Sequence, residues 1–294
     1  MSRILVTGKN GQLGKSIQKL TTNTEQTEEF IFVGRDVFDL CDENKMIRYF
    51  KDNIFDIIIN CAAYTQVDKA EEESVLANQV NHLAVSQLAQ IAKNQQAKLI
   101  HISTDYVFDG LNGNPYLEID KTNPINIYGK TKLAGEKAIQ KILPTNATII
   151  RVGWMYSEYG NNFVKTMLRL AKEKDEINVV SDQIGSPTYA TDLAEVILQA
   201  IKDRTLKKEN QITEIYHYSN EGEISWYEFA REIFKFAEID CKVNPIVSEH
   251  YPTLAQRPKI TLMNKSKISY RFDVNILELK KSLETCITIL KEQQ

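Results

Sequence analysis

Short apolar runs alternate with longer amphipathic segments along the first half of the chain. Nearly every position of the short runs is apolar, which is typical of strands buried on both faces of a parallel sheet. These runs predict strands over residues 3–6, 30–33, 56–60, 98–103 and 148–152. The longer segments repeat their apolar residues with a helical period and predict helices over 11–20, 42–52, 71–94 and 126–142. Such alternation predicts an α/β fold of the Rossmann type, a doubly wound parallel sheet with helices on both faces.

The apolar spacing becomes less regular after residue 153. It predicts helices over 162–173, 190–202, 226–237 and 276–291, and a strand over 215–219 that can return to the sheet. Prolines interrupt the segments between them, at Pro187, Pro245, Pro252 and Pro258. We therefore expect a first domain over 1–153, onto which about 188–220 packs back. A smaller, interleaved C-terminal domain would cover 154–187 and 221–294 and face the carboxyl edge of the sheet, where such folds bind ligands.

Composition and charge exclude several classes of protein. The 294 residues carry a net charge of −3, whereas a nucleic-acid-binding protein of this size would carry a basic face. No apolar run reaches the roughly eighteen residues of a membrane helix, and the N-terminal apolar run is too short for a secretory signal. We therefore expect a cytoplasmic protein. The four cysteines and four histidines are scattered, which predicts no metal site, and His101 is predicted to be a hydrogen-bonded core residue.

A glycine-rich turn joins the first predicted strand to the first helix. Residues 7–14 read Thr-Gly-Lys-Asn-Gly-Gln-Leu-Gly. In a strand–turn–helix, Gly8 would allow the tight turn, Gly11 the approach of a pyrophosphate, and Gly14 the close packing of helix on strand. The free N–H groups of the helix N-terminus favour phosphate. The motif predicts a dinucleotide-binding first domain, with a purely structural turn as the alternative.

The residues after the second and third strands bear on the nicotinamide cofactor. Arg35 could pair with the 2′-phosphate of NADP, whereas Asp36 could hold the 2′-hydroxyl of NAD. The alternative for Arg35 is a solvated loop position. Residues 39–40 could flank the adenine. The small side chains of Ala62 and Ala63 would let a ligand lie against the backbone, unless they only serve packing. We expect NADPH to be preferred and NADH to be accepted.

A tyrosine and a lysine lie one helical turn apart at the start of the fourth predicted helix. Tyr128 and Lys132 are four positions apart and so share a helix face. A free phenol titrates near 10, and a nearby cation lowers its pKa. Lys132 and a positively charged nicotinamide ring could together bring Tyr128 into the range of proton transfer. Thr104, at the end of the fourth strand, could hydrogen-bond the reacting oxygen. A chance Tyr-x-x-x-Lys match is the alternative.

Taken together, these motifs resemble the extended short-chain dehydrogenase/reductase superfamily. Longer segments are similar to the dTDP-4-dehydrorhamnose reductase family, over residues 62–71, 103–110, 126–136, 160–163, 182–188 and 257–258. The resemblance covers essentially the whole chain. It implies reduction of the 4-keto group of dTDP-4-dehydro-L-rhamnose by NADPH or NADH, the last step of dTDP-L-rhamnose synthesis.

The resemblance also implies roles for individual residues. Thr104, Tyr128 and Lys132 would form the catalytic trio. Asp105 would bind the sugar and Trp154 would pack on it, with a strand-end cap and a core aromatic as the respective alternatives. The cofactor would be held by Gly8, Asn10, Gly11, Gln12, Leu13, Gly14, Arg35, Asp39, Leu40, Ala62, Ala63, Tyr64, Thr65, Tyr128 and Lys132.

The sequence departs from the family at the position of a bridging metal. Some members form dimers bridged by magnesium through carboxylates, one of them just after the glycine-rich turn. Here that region reads Gly14-Lys15-Ser16, and Tyr189-Ala190-Thr191 offers no acid either. We therefore expect no metal and either a monomer or a metal-independent homodimer.

Other functions of the superfamily remain as alternatives. A 4,6-dehydratase carries Asp-Glu directly after the threonine of the fourth strand, whereas Thr104 is followed by Asp105 and Tyr106. A 4-epimerase or another nucleotide-sugar 4-ketoreductase would keep Thr104, Tyr128 and Lys132. A non-catalytic, NADP-binding subunit similar to the regulatory subunit of methionine adenosyltransferase is an alternative of a different class.

Overall fold

The computed structural model describes residues 2–22, 28–202 and 212–293. The strands, in chain order, are β1 (Arg3–Thr7), β2 (Glu29–Val33), β3 (Ile57–Asn60), β4 (Lys98–Thr104), β5 (Ala147–Val152), β6 (Met155–Tyr156), β7 (Glu176–Val180), β8 (Ile184–Gly185), β9 (Thr188–Tyr189), β10 (Glu214–Tyr218), β11 (Ile224–Ser225) and β12 (Lys242–Ile246). The α-helices, in chain order, are α1 (Gln12–Thr22), α2 (Glu43–Asp52), α3 (Val67–Glu72), α4 (Ser74–Asn78), α5 (Ala84–Gln95), α6 (Ile127–Ile142), α7 (Phe163–Leu170), α8 (Ala190–Lys202), α9 (Trp226–Ala237), α10 (Ser266–Phe272) and α11 (Leu279–Glu292).

A six-stranded parallel sheet forms the centre, in the order β10-β5-β4-β3-β1-β2. The five strands predicted in the first half are present, and the strand predicted over 215–219 returns to the sheet as β10 beside β5. The Rossmann-type doubly wound fold is therefore confirmed. Side chains cap the starts of two of these helices, since Asp42 accepts from the Lys45 N–H at 3.0 Å and Asn126 from the Gly129 N–H at 2.8 Å.

Alternate residues of the sheet strands face two separate apolar cores. The residues on the side of α2, α5 and α6 include Leu5, Ile58, Leu99 and Ile149. The residues on the side of α1, α8 and α10 include Ile4, Val6, Ile59 and Ile150. Burial on both sides explains why the strand sequences are apolar at nearly every position.

The prediction of one continuous helix over 71–94 is wrong. The helix is broken at Glu73, between α3 and α4, and then runs from Ser74 to Gln95 with a π-helical turn, Gln79–Leu83, inside it. This turn directs the Asn81 side chain to the backbone of Tyr64, accepting from its N–H at 2.9 Å and donating to its carbonyl at 3.0 Å. It also places the Asn81 carbonyl against Gly135 of α6, where a Cβ would not fit. Tertiary contacts of this kind accompany a single wide turn inside a helix, which the apolar period does not reveal.

The second half builds a third apolar core from α7, α9 and α11. The bounds of α8 and α9 agree with the predicted helices over 190–202 and 226–237, whereas α7 ends before residue 173 and α11 begins after residue 276. The short strand pairs and α10 were not predicted, because two-residue strands carry no periodicity. Among the described residues, no helix combines the length and apolar character needed to cross a membrane.

Candidate active site

A cavity of about 1330 Å³ opens at the carboxyl ends of the central strands. Trp154, Gly160, Asn161 and Trp226 line its far side. The predicted site residues that line it are Gly8, Asn10, Gly11, Gln12, Leu13, Arg35, Asp39, Leu40, Ala62, Ala63, Thr65, Thr104, Asp105, Tyr128, Lys132 and Trp154. Gly14 and Tyr64 lie outside the lining. The geometry thus brings most of the predicted cofactor and substrate positions to one place.

The glycine-rich turn lies close against the end of β3. Gly8 has a φ of +71°, and a Cβ there would lie 2.8 Å from the Ala62 nitrogen. A Cβ on Gly14 would meet the Gly8 carbonyl oxygen. Gly14 therefore permits the close packing of α1 on the turn rather than a ligand contact. The turn leaves an open cradle at the start of α1, which fits a pyrophosphate.

Opposite charges lie side by side where the cofactor ribose of such folds is held. Arg35, Asp36 and Asp39 line the cavity, together with Lys9 of the glycine-rich turn. Lys9 Nζ donates to Asp36 at 2.5 Å and holds the pKa of that carboxyl below its usual value. Asp39 accepts from the Cys41 N–H at 2.9 Å. The sequence reasoning missed Lys9, although it occupies a variable position within the motif.

Tyr64 departs from its predicted cofactor position. Its hydroxyl donates to Glu73 at 2.8 Å, and its backbone is held by Asn81. The Tyr64 ring is buried in the core on the side of α5. The neighbouring Ala63 and Thr65 do line the cavity. Tyr64 therefore anchors the loop after β3 through its side chain.

The predicted trio lies together at the cavity wall. Tyr128 and Lys132 are one turn apart near the start of α6, and Thr104 ends β4 beside them. Burial raises the pKa of Tyr128 to about 12, while a hydrogen bond with Thr104 acts in the opposite direction. The phenol is therefore protonated at neutral pH, as a proton donor must be. Lys132 is 2% exposed, and its Nζ donates to the Ile102 carbonyl at 2.6 Å.

Asp105 presents an unused acceptor beside this trio. Its Oδ1 accepts from Thr104 Oγ1 at 3.0 Å, whereas Oδ2 is buried without a hydrogen-bond partner among the described residues. The carboxyl lies against Gly153, where a Cβ would be 2.8 Å from Oδ2. Burial raises the pKa of Asp105 to about 6, against the opposing effect of the neighbouring Thr261 and Thr104 hydroxyls. Because buried polar atoms are normally satisfied, this oxygen is suited to a ligand hydroxyl.

The two tryptophans of the chain stack on each other at the cavity wall. The ring centroids of Trp154 and Trp226 are 3.5 Å apart, with an angle of 6° between the planes. Trp154 has a φ of +48°, a conformation that is unfavourable for a side chain with a Cβ. Trp226 begins α9 and was not predicted, since nothing in its local sequence distinguishes it from a core aromatic.

Comparison with known proteins identifies the family. The family model described as RmlD substrate binding domain matches residues 1–292. A dTDP-4-dehydrorhamnose reductase from Aggregatibacter actinomycetemcomitans is 41% identical over 295 residues, which cover 97% of this chain and 98% of the relative. The chain belongs to the dTDP-4-dehydrorhamnose reductase family.

Solved structures of the dTDP-4-dehydrorhamnose reductase family agree with this assignment. One from Clostridium acetobutylicum has a TM-score of 0.91 at 39% identity, covering 98% of this chain and 99% of that chain. Another, from Bacillus anthracis in complex with NADP, has a TM-score of 0.91 at 37% identity and the same coverage. The predicted resemblance is confirmed, and with it an NAD(P)-dependent reductase.

The positions at which some family members are expected to bind a bridging metal carry no carboxylate in this chain. Lys15 and Ser16 follow the glycine-rich turn, and Tyr189 precedes α8. Within residues 2–22, 28–202 and 212–293, no group of three or more His, Cys, Asp or Glu side chains is arranged to hold a metal ion. The absence of a metal and the oligomeric state both stay predictions.

Proposed function

We propose that this chain reduces the 4-keto group of dTDP-4-dehydro-L-rhamnose to dTDP-L-rhamnose, as the last step of dTDP-L-rhamnose synthesis. The observation that carries the proposal is the convergence of Thr104, Tyr128 and Lys132 with the glycine-rich turn in one cavity. The names of the family relatives supply the substrate and the product.

The glycine-rich turn and the ends of β2 and β3 would hold the nicotinamide cofactor. Gly8 and Gly11 leave room for the pyrophosphate at the start of α1, and Ala62 and Ala63 leave room beside β3. When bound, the reduced nicotinamide supplies a hydride to the carbonyl carbon. Arg35 would pair with the 2′-phosphate, which favours NADPH while leaving NADH usable.

Tyr128 would donate the proton that completes the reduction. Hydride addition to C4 places negative charge on the carbonyl oxygen, and the phenol proton moves to that oxygen. Thr104 would donate a hydrogen bond to the same oxygen and hold the carbonyl in line. The Lys132 ammonium would stabilise the phenolate that forms, because an adjacent cation favours the charged form. The lowering of the Tyr128 pKa by Lys132 and the nicotinamide together is part of this proposal.

The substrate would bind between Asp105 and the tryptophan pair. The free Oδ2 of Asp105 would accept a hydrogen bond from a sugar hydroxyl. Trp154 would pack on the sugar ring, and the segments 154–187 and 221–294 would form the substrate-binding lid over the dinucleotide-binding domain at 1–153. We place the reaction in the cytoplasm, where the reduced cofactor is available.

A coupled absorbance assay tests the proposal. The keto-sugar is generated in situ, the protein is added with NADPH or NADH, and loss of the reduced-nicotinamide absorbance is followed. Oxidation that depends on the keto-sugar, with rhamnose as the sugar product, is the expected result. The 4-epimer of rhamnose as product would indicate another 4-ketoreductase. Cofactor binding without oxidation would contradict the reductase and favour an epimerase or a non-catalytic subunit.

A further inference from the structure

A row of buried polar side chains crosses three neighbouring strands and ends at Lys132. Thr7, Asn60 and His101 are register partners on β1, β3 and β4, so their side chains share the sheet face that packs against α6. Thr7 Oγ1 donates to Asn60 Oδ1 at 2.7 Å, and Asn60 Nδ2 lies 3.0 Å from His101 Nδ1. His101 Nε2 lies 3.4 Å from Lys132 Nζ. Each of these residues is no more than 2% exposed.

The orientation of the Asn60 amide fixes the position of the His101 proton. Two donors, the Thr7 hydroxyl at 2.7 Å and the Ala62 N–H at 3.3 Å, lie at the same Asn60 side-chain atom, and the Ala62 N–H also lies 3.4 Å from Thr7 Oγ1. That atom is therefore the amide oxygen, and the amide NH₂ points at His101 Nδ1. A ring nitrogen that accepts carries no proton, so the neutral ring bears its proton on Nε2.

This tautomer directs an N–H at the Lys132 amine. A neutral amine has one lone pair, which can accept from His101 Nε2–H while an N–H still donates to the Ile102 carbonyl. An ammonium has no lone pair, and its charge would face the positive end of the Nε2–H bond. The His101 ring thus disfavours the charged form of Lys132.

Other groups around Lys132 also affect the equilibrium between its amine and ammonium forms. Cys61 follows the end of β3, and Glu136 lies one turn along α6, where its carboxylate pairs with Arg151. Tyr128 lies one turn in the other direction. Burial lowers the pKa of Lys132 to about 8, although Glu136 and Cys61 act to raise it. Burial and the Lys132 charge hold the pKa of His101 well below its usual value, so the ring stays neutral.

We propose that His101 is a positioning residue for Lys132, held by Asn60 in the Nε2–H tautomer, whose N–H faces the Lys132 amine and disfavours its ammonium form. The consequence depends on the proposed reductase function, because there the ammonium stabilises the Tyr128 phenolate. Activity would then fall as the pH rises through the Lys132 titration.

The tautomer can be read directly, without any turnover. The other buried histidine, His217, has the opposite surroundings: its Nε2 faces the Arg151 guanidinium at 3.4 Å and its Nδ1 the Tyr116 carbonyl at 3.2 Å. A guanidinium only donates and a carbonyl only accepts, so His217 carries its proton on Nδ1. Long-range ¹H–¹⁵N spectra of ¹⁵N-histidine-labelled protein should show one buried ring of each tautomer. Signals are assigned by their loss in His101→Gln and His217→Gln. An Nδ1–H tautomer at His101 would overturn the proposal.

Asn60→Asp tests the effect on Lys132. The carboxylate still accepts from Thr7 and Ala62, and it would now also accept a hydrogen bond from His101 Nδ1–H, so that the Nε2 lone pair faces the ammonium. The added negative charge favours the ammonium in the same direction. The alkaline midpoint of kcat/KM for keto-sugar reduction should move up by about one pH unit, a tenfold change in the Lys132 equilibrium. His217→Gln also removes a buried histidine and should leave this midpoint in place.

An unchanged midpoint in Asn60→Asp, with the tautomer switched in the spectra, would refute the link between His101 and Lys132. Absence of turnover in the unmodified chain would instead refute the reductase function. In that case the pH dependence of NADPH affinity serves as the readout, and the same upward shift in Asn60→Asp is expected, since Lys132 lines the cofactor cavity. An affinity profile that does not shift would again count against His101.

Discussion

A buried ion pair next to the candidate active site allows a prediction about stability, and an exposed ion pair of the same chain serves as its control. Arg151 of β5 and Glu136 of α6 are 3% and 1% exposed and form two parallel hydrogen bonds, Nη2–Oε2 at 2.7 Å and Nε–Oε1 at 3.0 Å. Ser103 Oγ also donates to Glu136 at 2.5 Å. Arg151→Met keeps most of the volume but leaves the Glu136 carboxylate buried with Ser103 as its remaining donor.

The expected loss follows from the isolated charge. Removing one partner of a buried ion pair costs about 3–5 kcal/mol of the free energy of unfolding, because the other charge stays desolvated and uncompensated. The exposed pair Arg169–Glu173 has the same chemistry at 61% and 55% exposure. Arg169→Met should therefore cost at most about 1 kcal/mol. In the double variant Arg151→Met/Glu136→Leu both charges are gone, so most of the loss should be recovered.

Urea unfolding, followed by circular dichroism for the three variants and the unmodified chain, measures these differences. A lower midpoint at an unchanged slope indicates a loss of stability rather than a change in the unfolded state. Equal losses for Arg151→Met and Arg169→Met would refute the assignment of a desolvated pair. A double variant no more stable than Arg151→Met would show that the loss came from packing rather than from the isolated carboxylate.

Four further predictions concern the site. Tyr128→Phe should lower kcat about 10²–10⁴-fold and leave the NADPH Kd unchanged, because it removes only the proton donor; near-normal turnover would exclude that role. Arg35→Ala should weaken NADPH much more than NADH in fluorescence titrations, and an unchanged ratio would remove Arg35 from the 2′-phosphate site. Asp105 should protonate as the pH falls below about 6, so the KM for the keto-sugar should rise there and Asp105→Asn should lose this dependence. Trp226→Ala should raise that KM up to about tenfold through the lost ring stacking, with cofactor affinity as the control.

The sequence predicts the central sheet well because its strands are buried on both faces and its helices on one. The period of apolar residues therefore follows the real elements, as at α8 and α9. The break at Glu73 and the π-helical turn after Asn78 escaped prediction, and the turn is held by contacts of Asn81 with Tyr64 and Gly135. Two-residue strands such as β8 depend on their partners and leave no local pattern.

Site residues whose position follows from the order of the strands were predicted, whereas those whose position depends on tertiary contacts were missed. Parallel strands bring their carboxyl ends to one edge, so Gly8, Ala62 and Thr104 could be placed together from the order of strands alone. Tyr64 follows Ala63 directly but points into the core, and only the fold decides that. Trp226 lies on a helix of the second half, and no sequence rule connects it with Trp154.

The buried charged residues discussed above are of two kinds. Some stabilise the fold, and others lie in the candidate active site. Arg151 and Glu136 bond to each other, Ser103 donates to the carboxylate and His217 faces the guanidinium, and neither charged side chain lines the cavity. Lys132 has a carbonyl and a neutral ring as its partners, and Asp105 keeps one oxygen unused. An incompletely satisfied charge inside a protein destabilises the fold and is relieved when a ligand supplies the missing partner. Cofactor and sugar hydroxyls at these two positions would do so, which predicts that binding of both ligands stabilises the fold beyond what their contacts with the apolar wall provide.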